Sequence, residues 1–84
     1  MLKIAVCDDN KGDLDHVVQL LKRYQEDNHV AARVDTFQSA MAMMDALRTE
    51  SFDLLILDIL MPGFSGIQAA REIRSFDTET KILF

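Results

Sequence analysis

Two apolar runs in this chain end on carboxylates. Ile4-Ala5-Val6-Cys7 stops at Asp8-Asp9, and Leu54-Leu55-Ile56-Leu57 stops at Asp58. Short runs that are apolar at every position suit strands buried on both faces, as in parallel sheets with helices packed on either side. The segments between them have other periods. Leu14, Val17, Val18 and Leu21 share one helical face that Tyr24 extends, and with the turn signal Lys11-Gly12-Asp13 ahead of them they predict a helix over about 12–27. Val30, Ala32 and Val34 alternate with Ala31, Arg33 and Asp35, which predicts a half-exposed strand at a sheet edge. Ala40, Met41, Met44 and Leu47 return to helical spacing, starting near Gln38-Ser39 and fading at Arg48 to Glu50, with Met41 and Met44 expected in the core. After the Pro62-Gly63 turn signal, Ser65 is placed to cap a helix carrying Ile67, Ala70 and Ile73. Lys81 to Phe84 form a last apolar run behind the polar stretch Ser75 to Thr80.

The order strand, helix, strand, helix, strand, helix, strand, with connections short enough for right-handed crossovers, predicts an α/β domain with a parallel sheet. At 84 residues, 49% hydrophobic and 27% charged, the composition is that of one globular domain and excludes the disordered and collagen-like classes. Nine Lys and Arg against fourteen Asp and Glu leave a net charge of -5, with no basic cluster longer than Lys22-Arg23, so nucleic-acid binding by this segment is not expected. No apolar stretch approaches the ~20 residues a membrane span needs. Asp8-Asp9 interrupts the N-terminal run before a signal peptide's apolar region is complete. Cys7, the one cysteine, lies inside an apolar run and reads as a buried, inert thiol in a reducing compartment. The cytoplasm is the expected location, without membrane attachment.

In open parallel sheets, ligands sit outside the carboxyl ends of the strands, where the winding direction reverses. If the first strand pairs with both the second and the third, that reversal falls between the first and third, and Asp8, Asp9 and Asp58 converge on one crevice. Three carboxylates so placed either share protons or take a cation. Hard oxygen ligands, without a Cys/His cluster at ligand spacing, favour Mg2+ over Zn2+. His16 and His29 stand apart, one expected on the polar face of the first helix and the other in a loop. A plainer reading exists for Asp8 and Asp9, which could stop a strand and cap the first helix. Asp58 is harder to read that way, because an aspartate between Leu-Leu-Ile-Leu and Ile-Leu-Met gives up core burial.

Ile4-Ala5-Val6-Cys7-Asp8-Asp9-Asn10, Leu54 to Asp58, and Met61-Pro62-Gly63 with Gly66 together resemble the receiver domain of two-component response regulators, over the whole chain. The resemblance implies a flavodoxin-like doubly wound parallel sheet with strand order 2-1-3-4. It implies that Asp58 accepts a phosphoryl group from a phosphohistidine on a sensor histidine kinase. It also implies that Asp9, Asp58 and the backbone carbonyl of Leu60 ligate Mg2+, and that Asp8 acts through bound water. Phosphoryl transfer needs an in-line nucleophile and a metal neutralising charge on the equatorial oxygens, which suits this cluster. The chain is then no enzyme beyond assisting transfer onto its own aspartate, and the output, transcription by expectation, lies elsewhere in the full protein. The opening Ile-Ala-Val-Cys-Asp-Asp is similar to receivers that carry LytTR-type DNA-binding effectors, and no effector is expected within residues 1–84. Leu60 stands where a polar residue is frequent and Ser65 where Asp is frequent before Gly66. The first bears on hydrolysis, whereas the second keeps a capping side chain.

Against the family pattern, residues 1–84 are expected to be the N-terminal part of a receiver. The last helix-strand-helix portion would be lacking, together with the hydroxyl residue and lysine that respond to the phosphoryl group. An incomplete sheet exposes a strand edge and part of one face, so a homodimer or oligomer is expected. A second class of function is therefore a truncated or degenerate receiver whose work is protein association. Two rivals fail on the residues. An aspartyl phosphatase needs Asp-x-Asp, and residue 60 is Leu. A flavodoxin-like cofactor binder needs a loop that accepts phosphate, and the loop after the first strand is acidic.

Overall fold

The computed structural model describes residues 1–58, 60–61, 64–75 and 80–84, with the backbone alone for 60–61 and 64–66. In chain order the elements are β1 (Leu2–Cys7), α1 (Lys11–Asn28), β2 (Ala32–Phe37), α2 (Ala40–Leu47), β3 (Leu54–Leu57), β4 (Leu60–Met61), β5 (Phe64–Ser65), α3 (Gly66–Arg74) and β6 (Lys81–Leu83). β2, β1, β3 and β6 form one parallel sheet in that order, the 2-1-3-4 arrangement of a flavodoxin-like fold. The described elements stop short of a further helix-strand portion. β2 lies at an edge as its alternation predicted, although it runs from Ala32 to Phe37 instead of starting at Val30.

Both faces of the sheet are covered. Ala5, Cys7, Leu55 and Leu57 pack with Met43 and Leu47 of α2 and with Ala69 and Ile73 of α3. Ile4 and Val6 pack on the opposite face with Leu14, Val17 and Leu21 of α1. With a neighbour on each edge and helices on each face, Ile4, Ala5, Val6 and Cys7 are 6%, 0%, 1% and 1% exposed, which is why that run is apolar at every position. The α1 face is the thinner one. Leu54 and Ile56 are only half-buried there, and Leu83, in register with Ile56, is exposed.

Several helix expectations are corrected. Lys11-Gly12-Asp13 is not a turn but the first turn of α1, because Asn10 caps the helix, its Oδ1 accepting the Asp13 N–H at 3.0 Å. At the other end, His29 takes a left-handed conformation (φ 53°) and donates its N–H to the Gln25 carbonyl. Tyr24 does not extend the buried stripe and is exposed. Ser39 caps α2, its Oγ accepting the Ala42 N–H at 3.1 Å. The buried face of α2 is Ala40, Met43 and Leu47, while Met41 is 75% exposed and Met44 half-buried. In α3, Ala69 and Ile73 are buried, Ala70 is half-buried and Ile67 is exposed.

The antiparallel pair β4 and β5 (Leu60↔Ser65, Met61↔Phe64) has no counterpart in the sequence reading, since two residues carry no period. Ser65 sits at the residue before α3, where a cap belongs; its side chain, Pro62-Gly63 and positions 76–79 of the polar stretch lie outside the described residues. Among the described residues, no helix is long and apolar enough to cross a membrane.

The α2 assignment is checked by equilibrium denaturation. Met43→Ala is expected to cost about 3 kcal/mol of stability, as buried large-to-small changes do, and Met41→Ala less than about 0.5 kcal/mol.

Candidate functional site

The sheet register builds the site. Cys7↔Leu57 is the last pair between β1 and β3. Just beyond it, the Asp58 N–H donates to the Cys7 carbonyl at 3.0 Å and the Asp8 N–H donates to the Phe37 carbonyl at 3.0 Å. Asp8 and Asp58 are thus the first residues past their strands, tied to the carboxyl edge of the sheet. Each of Asp8, Asp9 and Asp58 offers a carboxylate oxygen, and these oxygens lie within 4.8 Å of one another. Asp8 and Asp58 are half-buried and Asp9 is exposed.

Burial first, and then this crowding, sets the electrostatics. The Asp8 carboxyl is held above its usual range, first by removal from water and then by the charges of Asp58, Asp13 and Asp9; the Asn10 N–H, donated to Asp8 Oδ1 at 2.9 Å, pulls the other way. Cys7 is pushed up to about 11 by burial, with Asp8, Asp58 and Asp9 adding to the shift. Its thiol therefore stays protonated at neutral pH, a poor nucleophile, as its place in the apolar run suggested.

The donor set is three carboxylates without imidazole or thiolate, which fits a hard divalent cation such as Mg2+. His16 is exposed on α1 and His29 lies at its C-cap, so neither joins the cluster. Leu60 opens β4, two residues beyond Asp58. A groove of about 540 Å3 between α2 and α3, with Met44, Leu47, Arg48, Glu72 and Ser75 among its described walls, is separate from the three aspartates. A residue that the sequence pattern does not single out is Asn10, which caps α1 beside the cluster. Its signal was an Asn three positions ahead of Asp13 at the start of an apolar helical stripe.

Comparison with known proteins points the same way. The family model for the response regulator receiver domain matches residues 4–84. The sensor histidine kinase GacS of Pseudomonas protegens is 34% identical over 77 residues, 92% of this chain and 8% of that protein. The BeF3-activated DrrB receiver domain of Thermotoga maritima has 32% identity and a TM-score of 0.79, covering 98% of this chain and 62% of that one. The response regulator TrrA of Thermotoga maritima, solved with Mg2+ and BeF, has 33% identity and a TM-score of 0.74, covering 98% and 66%. TrrA is also known in complex with the histidine kinase ThkA. The chain therefore spans a small fraction of the kinase and about two thirds of the solved receivers.

The raised Asp8 carboxyl has a signed consequence for stability. Between the ordinary carboxylate value and the raised one, the folded form binds more protons than the unfolded form, so stability falls as pH rises through that window. In chelator, Asp8→Asn is expected to raise Tm at pH 7, and thermal unfolding followed down to about pH 3 should show the advantage vanish as the wild-type carboxyl becomes protonated.

Proposed function

Because the chain belongs to the response regulator receiver domain family, we propose that it is a phosphoacceptor of a two-component system, taking a phosphoryl group on Asp58 from a phosphohistidine of a sensor histidine kinase. The observation that carries this reading is the meeting of Asp8, Asp9 and Asp58 at the carboxyl edge of β1 and β3. In the transfer, an Asp58 carboxylate oxygen attacks the phosphorus in line. The P–O bond forms as the P–N bond breaks, and the imidazole leaves with the electron pair and takes a proton from water. Asp58 is anchored for this by its N–H to Cys7, so the nucleophile is positioned by the sheet and not by a loop.

Asp9, Asp58 and the Leu60 carbonyl would hold Mg2+, with Asp8 acting through water. When bound, the ion supplies charge neutralisation on the phosphoryl oxygens. The pairing of TrrA with a kinase and its Mg2+ and BeF complex support both partners of the reading. With Leu at 60 there is no second carboxylate to act as general acid on external phosphoesters, so the chain assists transfer only onto itself. Its output, transcription in this reading, is delivered by another part of the protein in the cytoplasm.

One observation favours a second reading, protein association. Among the described residues, β6 has a strand neighbour on one edge only, and Leu54, Ile56 and Leu83 leave apolar surface on the α1 face.

With acetyl phosphate and Mg2+, the intact protein is expected to take up a base-labile phosphoryl group that Asp58→Asn abolishes and Asp9→Asn or chelator strongly reduces. Undiminished labelling of Asp58→Asn would overturn the assignment. Leu60, which offers no side-chain group to orient water, predicts slow loss of the label, faster in Leu60→Asn. For the second reading, sedimentation of the 84-residue polypeptide is expected to show concentration-dependent dimers or larger species, and a monomer at high concentration rejects it.

A further inference from the structure

The turn between β1 and α1 carries hydrogen bonds that start in the acidic cluster and end in a helix, and all pass through one residue. The Asn10 N–H donates to Asp8 Oδ1 at 2.9 Å, Asn10 Oδ1 accepts the Asp13 N–H at 3.0 Å, and the Asn10 carbonyl accepts the Leu14 N–H at 3.0 Å. Leu14, 4% exposed, packs with Ile4 and Val6 of β1, so the helix end that holds Asn10 is itself seated on the strand that carries Asp8. The fit around the cap is close, since a Cβ on Gly12 would stand 3.3 Å from Asn10 Oδ1. A carboxylate with one oxygen held in this way has few orientations left in which the other can serve a cation or its water.

We propose that Asn10 is a positioning residue for the metal centre: its capping side chain fixes its own N–H, and that N–H orients Asp8. The proposal rests on the Mg2+ reading of the cluster given above. Groups that orient metal ligands typically alter affinity by roughly 10- to 100-fold when removed. Asn10→Ala keeps the N–H and removes only its clamp, so the loss is smaller, about 3- to 10-fold. The coupling is reciprocal, so Mg2+ held near Asp8 must in turn steady the first turn of α1.

The test is Mg2+ titration of the intact protein by calorimetry for wild type, Asn10→Ala, Asn10→Ser and Ser39→Ala. The Ser variant retains a capping oxygen, and Ser39→Ala removes the same kind of cap from α2. Expected is a Kd about 3- to 10-fold weaker for Asn10→Ala, with Asn10→Ser and Ser39→Ala near wild type. Equal affinity in wild type and Asn10→Ala overturns the proposal, as does an equal loss in Ser39→Ala or a failure of Asn10→Ser to rescue. A measurement on wild type alone keeps the test decisive if Asn10→Ala does not fold: saturating Mg2+ should slow hydrogen exchange at the Asp13 amide, and unchanged exchange overturns the proposal. A wild type that binds no Mg2+ overturns the reading of the cluster and the proposal with it, whereas the other adverse outcomes remove the proposal alone.

Discussion

A parallel strand cannot hand the chain straight back to its neighbour; each connection must cross a face of the sheet and return to the same end. β1 is paired with β2 from Leu2 to Cys7 and with β3 from Ile4 to Cys7. The connection to β2 therefore lays α1 over one face, and α2 and α3 fill the other. The same pairing brings the carboxyl ends of β1 and β3 side by side, so the residues next in the chain after Cys7 and Leu57 must meet. Those residues are Asp8-Asp9 and Asp58. The site is a consequence of where the strands stop.

Charge is distributed unevenly between the two ends of that sheet. At the amino end, carboxylates meet cations: Lys3 Nζ lies 3.0 Å from Glu50, and Arg33 Nη2 lies 3.0 Å from Asp35 and 3.4 Å from Glu50. At the carboxyl end, carboxylates meet one another. The Asp8 carboxyl is raised first by its removal from water and then by these neighbouring charges, and the Asn10 N–H at the start of α1 offsets part of the shift. Fixed donors at a helix N-terminus favour negative charge nearby. Stability alone gives no reason to gather acids at this end of the sheet.

The strands were legible in the sequence because burial on both faces leaves no choice of residue, as Ile4 to Cys7 shows; Leu54 to Leu57 reads the same way although Leu54 and Ile56 are only half-buried. Helix faces were less so. Met41 with Met44, and Ala40 with Met43 and Leu47, both satisfy helical spacing, and only the angle at which α2 meets the sheet decides that Met43 is buried and Met41 exposed. In α3 the spacing of Ile67, Ala70 and Ile73 is likewise helical, yet the buried residues are Ala69 and Ile73. In the site, the acidic character of Asp8, Asp9 and Asp58 was plain, but their convergence depended on a strand pairing that periodicity does not encode, and the order of strands came from family resemblance. Asn10 was missed because its work is done by hydrogen bonds to its neighbours, which a turn-like run such as Lys11-Gly12-Asp13 conceals.

The central position of β1 also bears on how the chain is made. Its partner β2 begins at Ala32, but its other partner, β3, pairs Leu54 with Ile4, 50 residues apart. At typical ribosomal rates of roughly 5–20 residues per second, several seconds separate the emergence of the two. During that interval β1, α1 and β2 can form a crossover unit, with one edge of the apolar run Ile4 to Cys7 still open. Nascent chains are thus exposed to aggregation or chaperone capture along Ile4 to Cys7 until Leu54 to Leu57 arrive, and a translational pause placed between β2 and β3 would lengthen that exposure without altering a single residue of the finished fold.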